Sequence, residues 1–170
     1  TGSTISGLTN VNGTLFFAAT DGTNGIELWK SDGTTAGTVM VANINTTAGA
    51  SSNPANLTAI GSTVYFSADD GTHGYELWRT NGTVAGTGLV KELVPGASGG
   101  DPLYLFATND RVYFWTNNEA AGNHFWKSDG TAAGTGIVSA AGPVLDDVNS
   151  GAPHYAMLGT HLLFLGSADF

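Results

Sequence analysis

The chain has 170 residues, of which 41% are apolar, only 11% are charged and 25 are glycine. That is enough apolar material for one well-buried core, with surface polarity left to Thr, Ser, Asn and Gly, a mixture that suits turns and strands better than helices. A net charge of −9 with five basic residues repels phosphate backbones and anionic lipid, which speaks against nucleic-acid partners and electrostatic membrane docking. The absence of cysteine excludes disulfides, thiolate metal sites and Cys nucleophiles, and no apolar run approaches the ~20 residues of a membrane span.

Read from the N-terminus, the chain shows no amphipathic helical period, so the expected class is all-β. A first unit, 8–56, opens with an Asn12-Gly13 turn, the strongest short hairpin signal. It continues through an Asp21-Gly22-Thr23-Asn24 turn into Glu27-Leu28-Trp29-Lys30-Ser31-Asp32-Gly33-Thr34-Thr35-Ala36-Gly37-Thr38. A looser stretch, Thr46–Pro54, leads onward.

The second unit, 57–104, repeats the pattern, with strands expected at Leu57–Ile60, Thr63–Ala68, Gly74–Thr80 and Thr87–Leu93. Its turns are Gly61-Ser62, Asp70-Gly71-Thr72-His73 and Asn81 to Gly86, and its tryptophan is Trp78. The third unit, 105–154, is eroded: His124-Phe125-Trp126 replaces Glu-Leu-Trp, although Asp129-Gly130-Thr131 and Gly134-Thr135 remain. Tyr155–Leu158 and His161–Leu165 begin a partial fourth unit, 155–170. The tryptophans stand 49 and 48 residues apart, and a fixed period in this range marks units that stack because none buries its apolar face alone. All four segments are expected in a single domain, 1–170.

Four antiparallel strands per unit, repeated, are the grammar of a β-propeller blade. A β-trefoil has the same arithmetic, but it needs no fourth unit. The residues before each tryptophan also carry a spacing, Ala19, Asp21, Gly25, Trp29 and Ala68, Asp70, Gly74, Trp78. This pattern resembles the tryptophan-docking motif of quinoprotein-type propellers. The resemblance implies a buried alanine, a hairpin turn shaped by Asp and Gly, and an indole packed on the neighbouring blade, where its N–H needs a partner. The third unit keeps only Gly122 and Trp126, with Thr116 and Asn118 in place of Ala and Asp.

The repeat as a whole is similar to the ELWxxDGT-repeat family of large bacterial exported or surface proteins, along nearly the full chain. That similarity implies repeat architecture and an extracellular or cell-surface setting, and it brings no catalytic residues to transfer.

Chemistry is sparse. Asp21, Asp69 and Asp70, in or beside Asp-Gly-Thr turns, can offer carboxylates to calcium. Against that, Asp before Gly ordinarily closes its own Asx turn. Gly96-Ala97-Ser98-Gly99-Gly100 spells a nucleophile elbow, but Gly100-Asp101-Pro102 cannot open the helix such an elbow requires. His73, His124, His154 and His161 have no metal-ligand spacing. Trp115 has no counterpart in the other units, where Ala18 and Ser67 stand. It is the candidate for a specific contact, either packing or stacking on a sugar ring. The expected function is a non-catalytic scaffold or adhesion module that assembles with copies of itself or further repeats, and no cofactor is expected other than calcium. The alternatives are a glycan-binding lectin-like module and an accessory domain of a larger exported enzyme.

Overall fold

The computed structural model describes residues 3–118 and 124–139, together with the backbone of two short strands, Tyr155–Leu158 and His161–Phe164. Unit one forms β1 (Ser6–Val11), β2 (Thr14–Thr20), β3 (Ile26–Ser31) and β4 (Val39–Ala42). Unit two forms β5 (Ala55–Ile60), β6 (Thr63–Asp69), β7 (Tyr75–Thr80) and β8 (Gly88–Lys91). Unit three forms β9 (Pro102–Ala107), β10 (Val112–Thr116), β11 (Phe125–Ser128) and β12 (Gly136–Ser139). Each unit is one four-stranded antiparallel sheet whose strands lie in chain order. β13 (Tyr155–Leu158) and β14 (His161–Phe164) pair as a further hairpin.

The all-β expectation and the repeated blade therefore hold. Among the described residues every ladder joins strands of one unit, so the shared barrel of a β-trefoil is not what these strands build. The unit borders expected from motif spacing need correction. Cuts at 56/57 and 104/105 fall inside β5 and β9, which start at Ala55 and Pro102.

The reason is a bulge near the start of each first strand. Gly7, Asn56 and Tyr104 occupy equivalent places, all with positive φ (68°, 56° and 52°), and the β1–β2 and β5–β6 ladders shift register there. The extra residue hides the strand start from a reading of alternation alone. Two other boundaries moved for local reasons. Gly74 lies outside β7 because its φ is +67°. β8 ends at Lys91 because the N–H of Leu93 is given to the Glu76 carboxylate rather than to a strand.

The core lies between the sheets. Val11, Phe16, Leu28, Val41 and Ile44 on the far face of unit one meet Val64, Phe66 and Ala68 on the near face of unit two, with Trp78 packed against them. Tyr65, Leu77, Val90 and Leu93 then meet Val112, Phe114 and Trp126 of unit three in the same way. Alternation along β2, β6 and β10 supplies both faces of each sheet. First strands run beside one another, β1 next to β5 and β5 next to β9. They are tied by the hydroxyls of Thr9 to the carbonyl of Leu57 (3.3 Å) and of Thr58 to that of Leu105 (3.1 Å). Fourth strands form the opposite, outer edge of each sheet.

Candidate functional site at the repeat joints

The residues that recur in sequence converge on the joints between units. In each sheet the tryptophan lies directly opposite a phenylalanine: Phe17 with Trp29, Phe66 with Trp78, Phe114 with Trp126. Trp78 and Trp126 pack into the cores shared with the preceding units, as the docking resemblance implies. Ala19 and Ala68 are buried, also as expected. The expected indole partner is found in one unit of three. Trp126 Nε1 donates to Thr116 Oγ1 at 3.3 Å, whereas the buried N–H groups of Trp29 and Trp78 have no acceptor. Alanine at 19 and 68 offers no oxygen where Thr116 does.

Gly25 and Gly74 do more than shape a turn. Besides φ of +73° and +67°, each lets the linker to the next unit press against the chain. A side chain on Gly25 would run into the carbonyl of Ala50, and one on Gly74 into the backbone of residues 97–99. Gly122 lies outside the described residues.

The linkers are stitched on both sides. The carbonyl of Ile26 accepts the N–H groups of Ser52 and Asn53 (3.1 and 3.2 Å), and that of Tyr75 accepts those of Gly100 and Asp101 (both 2.9 Å). The linker carbonyls of Ser52 and Gly100 in turn receive N–H groups from the next unit, those of Asp69 and Asn117.

The glutamate of the repeat motif completes this stitching, a role the sequence reading did not find. Glu27 and Glu76 are fully buried. Glu27 accepts the N–H of Ile44 (3.0 Å), the N–H of Ser52 (3.0 Å) and the hydroxyl of Ser52 (2.5 Å). Glu76 accepts the N–H groups of Leu93 (2.9 Å) and Val94 (3.2 Å). Burial pushes the Glu76 carboxyl up to about 7 against the lowering effect of those bonds, and it raises Glu27 in the same direction. Each glutamate holds the linker residue 17 positions downstream, and the one sequence mark of this role is the recurrence of Glu before Leu-Trp in units one and two.

The Asp-Gly-Thr hairpins explain the second half of the motif. Asp32 Oδ1 accepts both the N–H and the hydroxyl of Thr34 (2.9 and 2.7 Å). The Thr34 hydroxyl oxygen then accepts the N–H of Gly37 (2.9 Å), and the Thr38 hydroxyl donates to the Thr34 carbonyl (2.7 Å). Asn81 and Asp129 repeat this pattern. Gly37, Gly86 and Gly134 are glycines because a side chain there would strike the capping Asp or Asn.

The proposed calcium carboxylates are engaged in turns of their own. Asp21 accepts the N–H groups of Thr23 and Asn24 (2.8 and 2.9 Å), and the Asn24 bond leads in holding its carboxyl below the usual range. Asp69 accepts the N–H of Gly71 (2.7 Å). Asp70 accepts those of Thr72 and His73 and pairs with His73 Nδ1 at 2.7 Å. Burial works to raise Asp70, but the His73 and turn bonds outweigh it and leave the carboxyl low; the same pair raises His73. Among the described residues no three His, Cys, Asp or Glu side chains gather as a metal would require.

Ser98 sits in a linker turn closed by the Gly99 N–H on the Gly96 carbonyl, with no helix after it. The His124 carbonyl and N–H both pair within β10, to Thr116; His154 and the side chain of His161 lie outside the described residues. Trp115 is 2% exposed and tilts against Phe125 at 4.6 Å, while Phe125 stacks with Tyr113 and Phe106. A stacking platform for a sugar needs an open ring face, and the Trp115 ring is packed against Phe125 instead.

The bases one place after Trp29 and Trp78 also belong to the joints. Lys30 Nζ donates to the carbonyl of Gly82 in the next unit at 2.7 Å. Arg79 lies beside Gly130 of the unit after it.

No family model and no curated protein matches the sequence. Among solved structures, the chain is similar to one from a structural and mechanistic study of two prolyl endopeptidases and the role of their inter-domain dynamics in catalysis and specificity. The TM-score is 0.55 at 12% identity, over 81% of this chain and 20% of that one. The chain thus spans a fifth of that structure's length, and at this identity the likeness concerns the fold alone, repeated all-β blades. No helix among the described residues is long and apolar enough to cross a membrane.

Proposed function

We propose that this chain is a non-catalytic scaffold of propeller type, in an extracellular or cell-surface setting, whose units dock on further units of the same kind. The observation that carries this reading is that one joint is built twice from the same parts: indole and phenylalanine on the near face, a glycine-seated linker, and a buried glutamate holding that linker. The recurring polar residues spend their hydrogen bonds on hairpins and linkers, which suits a framework better than a reaction centre. Sedimentation velocity at micromolar concentration tests the reading. Species larger than the 17.3 kDa chain are expected, and a lone monomer at every concentration overturns self-assembly.

A second reading, an accessory repeat domain of a larger exported enzyme, is favoured by one fact: the similar structure contains a segment of like fold that makes up 20% of its chain. The gene surrounding these residues decides between the two.

A further inference from the structure

The two internal joints follow one plan but grip their linkers differently. Ser52 and Gly100 hold equivalent places, since each gives its N–H to the carbonyl before the motif glutamate, that of Ile26 or of Tyr75. In the first joint both the N–H and the hydroxyl of Ser52 reach Glu27, which also holds the Ile44 N–H. The neighbouring Ser51 adds a hydroxyl that accepts the N–H of Ile26 at 2.9 Å. In the second joint glycines stand at both places, Gly99 and Gly100. Glu76 is left with backbone N–H groups alone, those of Leu93 and Val94 and, more weakly, Gly100.

No cation pairs with Glu76 among the described residues. The charged groups that act on it are Glu92, at the start of the same linker, and His73, on the turn before β7 and itself paired with Asp70. Asp101 lies at the far end of the linker, and Lys91 gives its ammonium to the Thr135 carbonyl of unit three at 2.8 Å. The other side of the linker is held without titratable groups. Asn117 donates its N–H to the carbonyls of Gly100 and Asp101, and the Asn118 amide donates to that of Gly99 at 2.6 Å. The linker therefore meets unit three through neutral bonds and unit two through a buried acid.

We infer that residues 93–101 form a latch that lifts off unit two as the pH rises past neutral, staying with unit three, while the first joint responds less. In the closed latch burial keeps the Glu76 carboxyl neutral; in the open one water reaches it and it releases its proton. Deprotonation of His73 acts in the same direction, because it removes the positive charge that faces Glu92 and Glu76. The closed form thus holds protons that the open form gives up, and rising pH favours opening.

Hydrogen exchange in low urea, read residue by residue by NMR and corrected for the intrinsic base-catalysed rate, tests the latch. The amides of Leu93 and Val94 are expected to exchange through an opening that hardly depends on urea, unlike those of β6, which follow global unfolding. Their protection is expected to fall about tenfold between pH 6 and pH 8, the change imposed by a carboxyl raised from 4.5 to about 7. Protection at Ile44 and Ser52 is expected to fall less. Glu76→Gln is expected to abolish the pH response at Leu93 and Val94. Ser52→Ala, which strips the first joint of its hydroxyl, is expected to bring Ile44 closer to the behaviour of Leu93, and it serves where Glu76→Gln fails to fold. A urea slope at Leu93 equal to that of β6, protection that holds steady with pH, or equal responses in the two joints overturns the latch.

Discussion

Thr116 accepts at its hydroxyl the indole N–H of Trp126, 3.3 Å away, while the alanines at the same place in units one and two leave the indoles of Trp29 and Trp78 without an acceptor. One position thus decides whether a buried donor is paired. The same oxygen also accepts the N–H of His124 at 3.1 Å, so this threonine holds β10 to β11 where the repeat has lost its glutamate.

Thr116→Ala therefore recreates the unpaired indole of the other units and removes a strand contact as well. A buried donor left unpaired costs about 1–3 kcal/mol. The expected result is an unfolding free energy lowered by that amount, read as a lower urea midpoint with an unchanged m-value, and Thr116→Ser is expected to recover most of it. An unchanged midpoint in the alanine variant removes Thr116 from the joint.

Two glycines of one turn separate backbone strain from linker contact. Gly22 and Gly25 both have positive φ (84° and 73°). Open space surrounds the place of a side chain on Gly22, while the Ala50 carbonyl occupies that place at Gly25. Gly22→Ala is expected to cost only the left-handed penalty of about 1–2 kcal/mol. Gly25→Ala must in addition push the linker off the turn and is expected to lower the thermal midpoint clearly further. Equal effects in the two variants count against close docking of the linker.

These positions also mark how far the sequence could be read. Periodic tryptophans, Asn-Gly and Asp-Gly turns and small residues before each indole reveal strands and joints because local chemistry determines them. The bulge at Gly7, Asn56 and Tyr104 stayed hidden because three unlike residues share one left-handed conformation. Glu27 and Glu76 stayed hidden because a carboxylate between apolar neighbours reads as a solvated strand position, and its partners lie 17 residues downstream in a linker without pattern. Asp21 and Asp70 were legible for the opposite reason: the local Asx geometry already present in the sequence accounts for their turn hydrogen bonds.

Trp115 is one of the largest fully buried side chains, in contact with Phe125. Unit one carries Ala18 at the equivalent place, so alanine suits the strand, and Trp115→Ala removes only packing. Truncating a buried aromatic of this size costs about 3–5 kcal/mol. The expected outcome is a large fall in the unfolding midpoint, measured by fluorescence or circular dichroism. A variant as stable as the parent would return Trp115 to the role of a sugar-stacking platform.

Glu76 makes stability depend on pH in the direction opposite to a paired surface carboxylate. Its pKa is raised from 4.5 to about 7 in the fold, so between those values the folded state holds a proton that the unfolded chain has released. Stability is therefore fully present near pH 4.5 and falls as pH rises through 7, by on the order of 3 kcal/mol at the limit. Glu27 is raised by burial and acts in the same direction, as does His73, raised by its bond to Asp70. Asp21, Asp32 and Asp129 are lowered by their turn bonds, so their contribution is lost only in more acid solution, below their ordinary value of 3.8. Glu92, on the linker that packs over β7, adds to the upward push on Glu76. Urea midpoints between pH 5 and pH 8 are thus expected to decline with pH. In Glu76→Gln the decline is expected to flatten, and the variant should be less stable at pH 5 because its amide group faces the Leu93 or Val94 N–H. A wild-type midpoint that rises from pH 5 to pH 8 contradicts a neutral, buried clamp and points instead to a carboxylate that stays charged in the joint.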